Sequence, residues 1–326
     1  MIYIENNCTD PAYNLAFEEF VFHNLCKDDT ILLLWQNEPA VIIGRYQNTV
    51  EEVNTDYIEK NNVHVVRRMT GGGAVYHDLG NLNYSFIIPD VAAEIDFKTF
   101  SRPLVEALAE LGITAEQTGR NDITVDGKKI SGNAQFYNKR GLLHHGTILF
   151  DSQLDAVKDA LKVKEGKISS KGIKSVRSRV TNIRPYLSDD MDVDTFKKFL
   201  LKSFSKSGSL TEYVLSDEEK DAIKTLEKEK YGTWKWNHGS SPKSNIEKEG
   251  YFSGGYVKVM LDVDDGIIRN IKIYGDFFSA ADITEAEKSL IGIRYTRENI
   301  LDMFNNIKIE KYFHNIGAEE LASLMY

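Results

Sequence analysis

Residues 67–83 read RRMTGGGAVYHDLGNLN, with three consecutive glycines between an apolar run that ends at Val66 and a second one that begins at Ala74. Glycine has no Cβ, so this backbone can adopt left-handed conformations and approach a ligand closely. Successive N–H groups can then converge on phosphate oxygens, with Arg67 or Arg68 adding positive charge. The stretch predicts a nucleotide site between two strands, although a tight turn with two incidental arginines would give the same pattern.

The length and the charge of the chain limit the classes of protein that it can be. With 326 residues it can bury a large core, and this length favours one large domain with a small one, or two of similar size, over a single domain. The 40 lysines and arginines stand against 49 acidic residues, which gives a net charge of −9. A general nucleic-acid or membrane-surface binder needs a positive field, so neither nucleic acid nor membrane is expected as a partner.

The cysteines and the N-terminus indicate a cytoplasmic protein. Cys8 and Cys26 are the only cysteines. They can build neither a disulfide framework nor a cysteine-rich zinc site, so two free thiols are expected. The N-terminus has no basic segment followed by a long apolar run, and no stretch of about eighteen apolar residues occurs in the chain.

Helix and strand patterns alternate along the chain up to about residue 230. Asp10 and Pro11 are suited to be the N-cap and the first residue of a helix, and apolar residues at helical spacing follow to about Cys26. Short apolar runs bounded by turn formers predict buried strands. The predicted strands are 31–35, 40–43, 63–67 and 84–88, and the further predicted helices are 49–61, 97–111, 153–161, 192–206 and 216–229.

A different pattern begins near residue 250. Two strands joined by a turn are followed by three helices, and these are predicted over 256–262, 267–274, 284–290, 296–305 and 318–325. They suffice for a small domain of roughly 75 residues, which is marginally stable unless it docks on its neighbour. We therefore expect an α+β protein of mixed and antiparallel sheets flanked by helices, with a large domain at 1–245 and a small α/β C-terminal domain at 250–326.

Residues 122–150 are predicted to form an antiparallel meander, because Asp126-Gly127 is a strong signal for a two-residue turn. The turn sets Lys129 opposite Thr124, and continuing this register makes Lys129 and Asp122 diagonal neighbours. Strict alternation then places one polar set on a single face and an apolar set on the other. The polar set is Asp122, Thr124, Lys129, Ser131, Asn133 and Gln135, and the apolar set is Ile123, Ile130, Ala134 and Phe136.

Lys129 and Asp122 are the leading candidates for chemistry. A lysine on the polar side of an otherwise buried sheet can neutralise charge that develops on a phosphate or carboxylate oxygen, and an aspartate beside it can hold Mg²⁺ or orient the lysine. Gly132 favours this interpretation, because glycine inside a strand often marks the close approach of a ligand. A hairpin with solvated charges is the alternative.

His77 and His145 are further candidates. His144 and His145 are adjacent on a predicted strand and so face opposite ways, which leaves at most one of them to face the site and does not favour zinc. His77 and His145 can each bind a ligand through a hydrogen bond or hold a loop in place.

The segment from Lys158 to Arg184 contains nine lysines and arginines. Such a basic segment can close over a phosphorylated intermediate or receive an acidic partner, and a solvated loop and helix face explains the charges equally well. Hydrolase and dehydrogenase motifs are absent, since the chain has no Gly-x-Ser-x-Gly elbow, His-Glu-x-x-His, Walker A ending or dinucleotide fingerprint.

Four motifs, taken together, resemble the lipoate-protein ligase family. They are Arg68-x-Thr70-Gly71-Gly72-Gly73-Ala74-Val75-Tyr76-His77-Asp78-x-Gly80-Asn81-x-Asn83, Asn121-Asp122, Lys129-Ile130-Ser131-Gly132-Asn133-Ala134 and His145-Gly146-Thr147, in the order of the family. The resemblance continues through Lys171-Gly172-Ile173, 175–183, 234–242 and Gly275-Asp276-Phe277-Phe278, so it covers essentially the whole chain. Each motif alone is weak, whereas the combination is specific.

The resemblance implies a two-domain, ATP-dependent ligase with a biotin/lipoate ligase-like catalytic domain. Lipoate and ATP with Mg²⁺ would give lipoyl-AMP and pyrophosphate. A lysine of an acceptor lipoyl domain, in a 2-oxoacid dehydrogenase acyltransferase subunit or in the glycine-cleavage H protein, would then form the amide. Two anions must meet in the first step, so cationic and N–H groups are needed around both of them.

The resemblance also implies roles for single residues. Lys129 matches the lysine that touches acyl and phosphate oxygens, and Asp122 fits a metal-binding or lysine-orienting role. The implied ATP or adenylate contacts are Arg68, Gly71, Gly72, Gly73, Ala74, Val75, Tyr76, Asn121 and Lys129, and the implied lipoate contacts are Lys129, Arg45, His77, His145 and Gly73. Strands 31–35 and 40–43, with Gly44-Arg45, would wall a tunnel for the acyl chain, at about 0.8 kcal/mol per buried methylene.

Three alternatives stay open at this point. An octanoyl or lipoyl transferase of the same superfamily needs a positioned thiolate, and neither cysteine lies in a glycine- or histidine-rich motif. A biotin ligase would carry an arginine- and glycine-rich adenylate loop that this sequence lacks. A non-catalytic lipoate- or adenylate-binding regulator would keep the pocket without turnover, and the intact Lys129 and Asp122 argue against it.

Overall fold

The computed structural model describes residues 1–90, 96–162, 179–207, 209–238 and 245–326. Within these ranges the strands are β1 Ile2–Tyr3, β2 Ile31–Trp35, β3 Ala40–Ile43, β4 His64–Arg67, β5 Val75–His77, β6 Asn81–Pro89, β7 Ala115–Thr118, β8 Asp122–Val125, β9 Lys128–Asn138, β10 Gly141–Leu149, β11 Thr211–Glu212, β12 Ile246–Phe252, β13 Gly255–Asp264 and β14 Ile267–Gly275. The α-helices are α1 Pro11–Phe20, α2 Thr49–Glu52, α3 Thr55–Lys60, α4 Phe97–Glu110, α5 Leu154–Ala160, α6 Val193–Phe204, α7 Asp217–Leu226, α8 Trp234–Asn237, α9 Ile283–Leu290, α10 Arg297–Ile307 and α11 Ala318–Met325.

Three sheets organise these elements. The largest has eight strands in the order β11-β1-β2-β6-β10-β9-β8-β7, parallel where β1 meets its two neighbours and antiparallel elsewhere. A three-stranded sheet, β4-β3-β5, has one parallel and one antiparallel pair, and the antiparallel sheet β12-β13-β14 lies near the C-terminus. The predicted α+β class, with mixed and antiparallel sheets flanked by helices, is confirmed.

Strand β2 is buried on both of its faces, as its uninterrupted apolar sequence predicts. Leu32 and Leu34 belong to a core cluster with residues of α4 and α6, whereas Leu33 and Trp35 belong to a second cluster with residues of α1. Helices therefore cover both sides of the large sheet.

Helix α1 begins where the sequence predicts. The carboxylate of Asp10 accepts hydrogen bonds from the N–H groups of Ala12 and Tyr13 at 2.8 and 2.9 Å. Past Phe20 the helix continues as a π-helical turn over Val21–Leu25, so the predicted helical stretch is present but changes its winding.

The single helix predicted over 49–61 is wrong. The structure has two short helices, α2 and α3, and Val53 and Asn54 between them are extended. Val53 forms a β-bridge with Leu161, and the N–H of Asn54 donates to the carbonyl of Ala160 at 2.9 Å. Pairing with the chain that follows α5 interrupts the helix, and no local pattern announces it.

The hairpin between β8 and β9 corrects the predicted register. Lys129 pairs with Thr124 as expected, but a β-bulge then places Ser131 opposite Ile123 and Gly132 opposite Asp122. The extra residue reverses the alternation, so Gly132 shares the face of Lys129, and the Asn133 side chain turns to the other face, where it bonds Tyr84. The predicted single polar face is therefore wrong beyond the bulge: Ser131, Asn133 and Gln135 do not share it with Lys129.

The C-terminal elements have an apolar cluster of their own, built from β13, β14 and helices α9 to α11. It meets the rest of the chain at the 275–278 loop, where Tyr46 stacks on Phe277 with ring centroids 4.9 Å apart. Strand β12 is not predicted from the sequence because its side chains alternate between exposed and half-buried positions, without an apolar run. Most of the basic segment from Lys158 to Arg184 lies outside the described residues, as do Lys171-Gly172-Ile173 and the stretch 239–244.

Candidate functional site

A cavity of about 230 Å³ lies over one face of the large sheet. Its floor is a row of side chains that crosses five strands, from β2 to β8. Trp35 pairs with Asn83, Asn83 pairs with Thr147, the hydroxyl of Thr147 accepts from the N–H of Gly132 at 3.1 Å, and Gly132 pairs with Asp122. Four strand spacings separate the two ends of this row by about 19 Å. The cavity is therefore long, with an aromatic end at Trp35 and a charged end at Asp122.

The glycine triplet forms part of the opposite wall. Gly72 has a φ of +88°, which a residue with a side chain adopts only with strain. The N–H of Gly72 donates to the carbonyl of Phe277 at 3.3 Å. The N–H groups of Gly73 and Ala74 have no partner within the described ranges, and both residues line the cavity. They are the backbone donors available to an anion.

Arg68 holds the triplet in this shape. Its guanidinium is buried and donates to the hydroxyl of Thr70 and to the carbonyls of Ile42, Gly71 and Gly73, at 2.6 to 3.1 Å. Because these bonds occupy the carbonyl side of the loop, they leave its N–H groups for a ligand. Burial lowers the pKa of Arg68 to about 10, so the side chain stays charged at neutral pH.

Lys129 and Asp122 form an ion pair at the charged end. The ammonium nitrogen lies 2.7 Å from a carboxylate oxygen of Asp122, and the two side chains are 31% and 37% exposed, so both reach solvent and ligand alike. Gly132 leaves the room for this pair, since a Cβ there would lie 2.6 Å from the ammonium nitrogen. The prediction that Lys129 and the glycine triplet bound one cavity agrees with this geometry.

His145 belongs to a hydrogen-bonded chain behind the wall. Its Nδ1 lies 2.8 Å from the buried carboxylate of Glu18, and its Nε2 lies 2.8 Å from the hydroxyl of Thr70. The hydroxyl of Ser85 also donates to Glu18. His144 faces the other side of the sheet, where the amide of Gln135 contacts its Nδ1 at 2.9 Å. The predicted opposite orientation of the two histidines holds.

His77 and His144 make the stability of the fold depend on pH. Burial, above all, lowers the pKa of each from 6.5 to about 3, so the unfolded chain binds protons on both at a higher pH than the folded chain does. We expect stability to fall as pH drops from 6.5 towards 3, with about 2.7 kcal/mol lost per pH unit from this pair once both titrate in the unfolded state. Urea unfolding at a series of pH values measures this slope.

The variant His77→Gln provides the matched comparison. This variant lacks one of the two titrating histidines. The loss in free energy of unfolding per pH unit between pH 5.5 and 4 should therefore be smaller, by about half of what the two histidines contribute together. An identical slope in both proteins would contradict this account of the histidines.

Most of the predicted site residues lie together. The cavity is lined by Arg68, Gly72, Gly73, Ala74, Val75, His77, Asn121, Asp122, Lys129 and His145. Arg45, Gly71 and Tyr76 are not among the lining residues. The guanidinium of Arg45 lies 4.3 Å from the ring centre of Trp236, Gly71 packs on the carbonyl of Phe277, and Tyr76 is buried in an apolar cluster.

Trp35 and Ile42 also line the cavity, and they belong to the two strands predicted to wall the tunnel, whereas Leu15, Arg120 and Asp276 line it without having been predicted. Leu15 reads as an ordinary core residue, because nothing in the sequence separates an apolar wall from an apolar core. Arg120 donates to the carbonyls of Gly254 and Asp276 and lies over the ring of Phe278 at 4.6 Å. This contact joins residues far apart in the chain, so no local signal reveals it.

The positions of the cysteines and of the metal-binding side chains limit the reactions that the cavity can support. Cys8 and Cys26 are free thiols that do not line the cavity, and burial raises the pKa of both, which opposes a thiolate nucleophile. Among the described residues, one group of three metal-binding side chains lies close together, Asp10 with Glu38 and His64, and none of them lines the cavity. No described helix combines the length and the hydropathy that crossing a bilayer requires.

Family comparisons match both parts of the chain. Residues 10–205 match the family described as the lipoyl protein ligase A/B catalytic domain, and residues 241–325 match the bacterial lipoate protein ligase C-terminus. The lipoate-protein ligase LplJ of Bacillus subtilis is 46% identical over the full length of both proteins. Lipoate–protein ligase 1 of Staphylococcus aureus is 47% identical over 98% of each chain.

Solved structures agree with these relatives. P. falciparum LipL1, in complex with lipoate, superposes with a TM-score of 0.78 at 26% identity, covering 95% of this chain and 98% of that one. A lipoate-protein ligase A bound with ATP gives a TM-score of 0.65 at 30% identity, over 73% and 98%. A bipartite archaeal lipoate protein ligase, studied with its E2 lipoyl domain, gives 0.65 at 31%, over 75% and 98%. The chain belongs to the lipoate-protein ligase family, and it is an enzyme that joins a carboxylic acid to an amine.

Proposed function

We propose that this ligase activates lipoate with ATP inside the cavity and transfers the lipoyl group to a lysine of an acceptor lipoyl domain. The observation that carries the proposal is that Lys129 and the open N–H groups of Gly73 and Ala74 bound one cavity, which ends in apolar walls. Related proteins have been solved with lipoate and with ATP, which supports both as substrates here. The cysteine-dependent transferase is not favoured.

The geometry fits lipoate with its carboxylate near Lys129 and its tail towards Trp35. Three strand spacings, about 14 Å, separate β9 from β2, enough for an extended acyl chain. A carboxylate oxygen attacks the α-phosphorus of ATP, the new P–O bond replaces the bond to pyrophosphate, and pyrophosphate leaves. The acceptor amine then attacks the acyl carbon, loses a proton and expels AMP. Lys129 lowers the repulsion between the two anions in the first step.

The roles of the other lining residues follow from their placement. Arg68 shapes the adenylate loop, with Gly72, Gly73, Ala74, Val75 and Asn121 beside the nucleotide, and His77 and His145 belong to the wall for lipoate.

Asp122 orients Lys129 or holds Mg²⁺. A carboxylate oxygen is a ligand that Mg²⁺ prefers, so Asp122 fits this ion. When bound, Mg²⁺ would neutralise charge on the phosphate oxygens. Arg45, Gly71 and Tyr76 lie behind the lining residues and have no direct contact with the substrates in this proposal.

We propose that the acceptors are lipoyl domains of 2-oxoacid dehydrogenase acyltransferase subunits or the glycine-cleavage H protein. The archaeal ligase studied with an E2 lipoyl domain supports this class. A cytoplasmic location fits two free thiols and the use of ATP. The separate apolar cluster at the C-terminus supports a catalytic domain at 1–245 and an accessory domain at 250–326.

A transfer assay tests this function. The full-length enzyme is incubated with radiolabelled lipoate, ATP and Mg²⁺, and pyrophosphate is measured before and after purified lipoyl domains are added. We expect pyrophosphate release without an acceptor, limited to about one turnover, and label on the acceptor lysine afterwards. Absence of label from every acceptor despite pyrophosphate release would contradict the second step. Absence of both would contradict the proposal as a whole.

Gly132→Ala should lower adenylation without unfolding the protein. The new methyl group would displace the ammonium of Lys129 from Asp122, because the side chain is the flexible partner in this contact. We expect the rate of lipoyl-AMP formation to fall about tenfold to a hundredfold, as for a misplaced catalytic group. Pre-steady-state pyrophosphate release measures this step, and thermal unfolding checks that the melting temperature stays within a few degrees. A full adenylation rate would show that the position of Lys129 is not critical.

A further inference from the structure

His77 lies at the apolar end of the cavity and has a buried nitrogen that no described residue pairs with. The side chain is 3% exposed and lines the cavity, with its ring centroid 6.3 Å from that of Trp35. Its Nε2 is buried, and no hydrogen-bond partner for it occurs within the described ranges. Buried polar atoms nearly always have a partner, so this nitrogen needs an explanation.

The proton of this ring can be assigned from its neighbours. The Nδ2 of Asn14 lies 3.0 Å from the carbonyl of Cys8 and 2.8 Å from that of Gln36, so it is the amide NH₂. It also lies 2.8 Å from the Oδ1 of Asn37, which must therefore be the acceptor. The Nδ2 of Asn37 is then the donor to the Nδ1 of His77, at 3.0 Å. A neutral imidazole that accepts at Nδ1 carries its proton on Nε2.

The environment keeps His77 neutral and in this tautomer. Burial, with the charges of Arg68 and His145, lowers its pKa to about 3, so the ring has a single N–H at neutral pH. Asn14 and Asn37 are fully buried, so water does not compete for the bonds that set the tautomer. The ring therefore holds one hydrogen-bond donor, at Nε2, and none of the described residues pairs with it.

We propose that the Nε2–H of His77 is a specificity-determining donor that favours an acyl tail bearing an acceptor atom over a hydrocarbon tail of similar length. The inference rests on the proposed binding of lipoate in this cavity, with its tail at the end opposite Lys129. A divalent sulfur accepts a weak hydrogen bond, whereas a methylene accepts none and leaves the donor buried and unpaired. Asn37 and Asn14 are positioning residues, because they set the tautomer without lining the cavity.

Kinetics with two substrates test the donor. The values of kcat/KM for lipoate and octanoate are measured for the full-length enzyme and for two variants. His77→Leu keeps a similar volume without a donor, and we expect the lipoate/octanoate ratio to fall about tenfold. His77→Gln keeps an N–H donor and should recover part of the ratio. An unchanged ratio in His77→Leu overturns the inference, as does an equal fall in both variants.

Two further measurements separate the possible failures. Nitrogen-15 spectra of the ligand-free enzyme should show His77 protonated at Nε2 and bare at Nδ1, with its signals identified by their absence from His77→Gln. A proton on Nδ1 overturns the inference whatever the kinetics show. Asn37→Leu should mix the two tautomers and move the substrate ratio towards that of His77→Leu. If the unmodified enzyme makes no lipoyl-AMP at all, the proposed function fails, whereas a normal enzyme with an insensitive ratio contradicts only the role of His77.

Discussion

Lys129→Ala should reduce lipoyl-AMP formation by about two to three orders of magnitude while the protein stays folded. Removing one group that stabilises developing charge in an enclosed site has effects of this size. Three cationic side chains line the described part of the cavity. Two of them, Arg68 and Arg120, already donate hydrogen bonds to main-chain carbonyls. Among the described residues the ammonium of Lys129 has one ion-pair partner, the partly exposed Asp122, so it can turn to meet the carboxylate and the α-phosphate together.

The matched control for this variant is Lys128→Ala. Lys128 is exposed on the same hairpin, next to Lys129 in sequence, and does not line the cavity. We expect its adenylation rate to stay within about twofold, since a solvated charge outside the site is strongly screened. Rapid-quench measurement of labelled lipoyl-AMP gives both rates, and circular dichroism checks the fold. Adenylation within about fivefold of normal in Lys129→Ala would remove this residue from the proposed role.

Arg67→Met should destabilise the fold by about 3 to 5 kcal/mol, because it leaves several buried acceptors unpaired. Arg67 is 7% exposed, and none of the carboxylates in the described ranges is a partner of its guanidinium. It donates instead to the hydroxyl of Thr49 and to the carbonyls of Gly44, Arg45, Gln47, Trp236 and Asn237, at 2.6 to 3.2 Å. Burial lowers its pKa to about 10, so it remains charged at neutral pH.

Arg67→Met should also disturb the glycine triplet that lines the cavity. The turn that Arg67 holds contains Gly44, which packs so closely on the carbonyl of Gly72 that a Cβ there would lie 1.9 Å from it. Urea unfolding measures the loss of stability. Arg184→Met is the control, since Arg184 makes ion pairs at the surface with side chains that are about half exposed or more, and such pairs contribute about 1 kcal/mol or less. Equal losses in the two variants would contradict the structural role of Arg67.

The sequence predicts the local features of the site well because its turns have strong signals. Asp126 and Gly127 adopt φ values of +50° and +70°, as expected for a two-residue hairpin turn, and the hairpin places Lys129 where it can meet Asp122. The β-bulge after Lys129 is invisible to strict alternation, which is why the faces of Ser131 and Asn133 are predicted wrongly.

The remainder of the site depends on tertiary contacts. Leu15 has the sequence context of a core residue, and only the fold shows that the cavity runs past it. The C-terminal contribution of Asp276 is equally invisible, because Arg120 finds it across 156 positions of sequence. The helix predicted over 49–61 fails for the same reason, since its interruption is caused by the distant pairing of Val53 with Leu161.

The carbonyl of Phe277 connects the C-terminal elements to the glycine loop that we propose to face the nucleotide. It accepts the N–H of Gly72, so an oxygen of any ligand that takes this hydrogen competes with the C-terminal elements for it. By thermodynamic linkage this competition is reciprocal. The factor by which the docked C-terminal elements weaken binding of that ligand equals the factor by which the bound ligand weakens docking of the C-terminal elements. One amide hydrogen would thus couple the occupancy of the cavity to the attachment of a distant part of the chain.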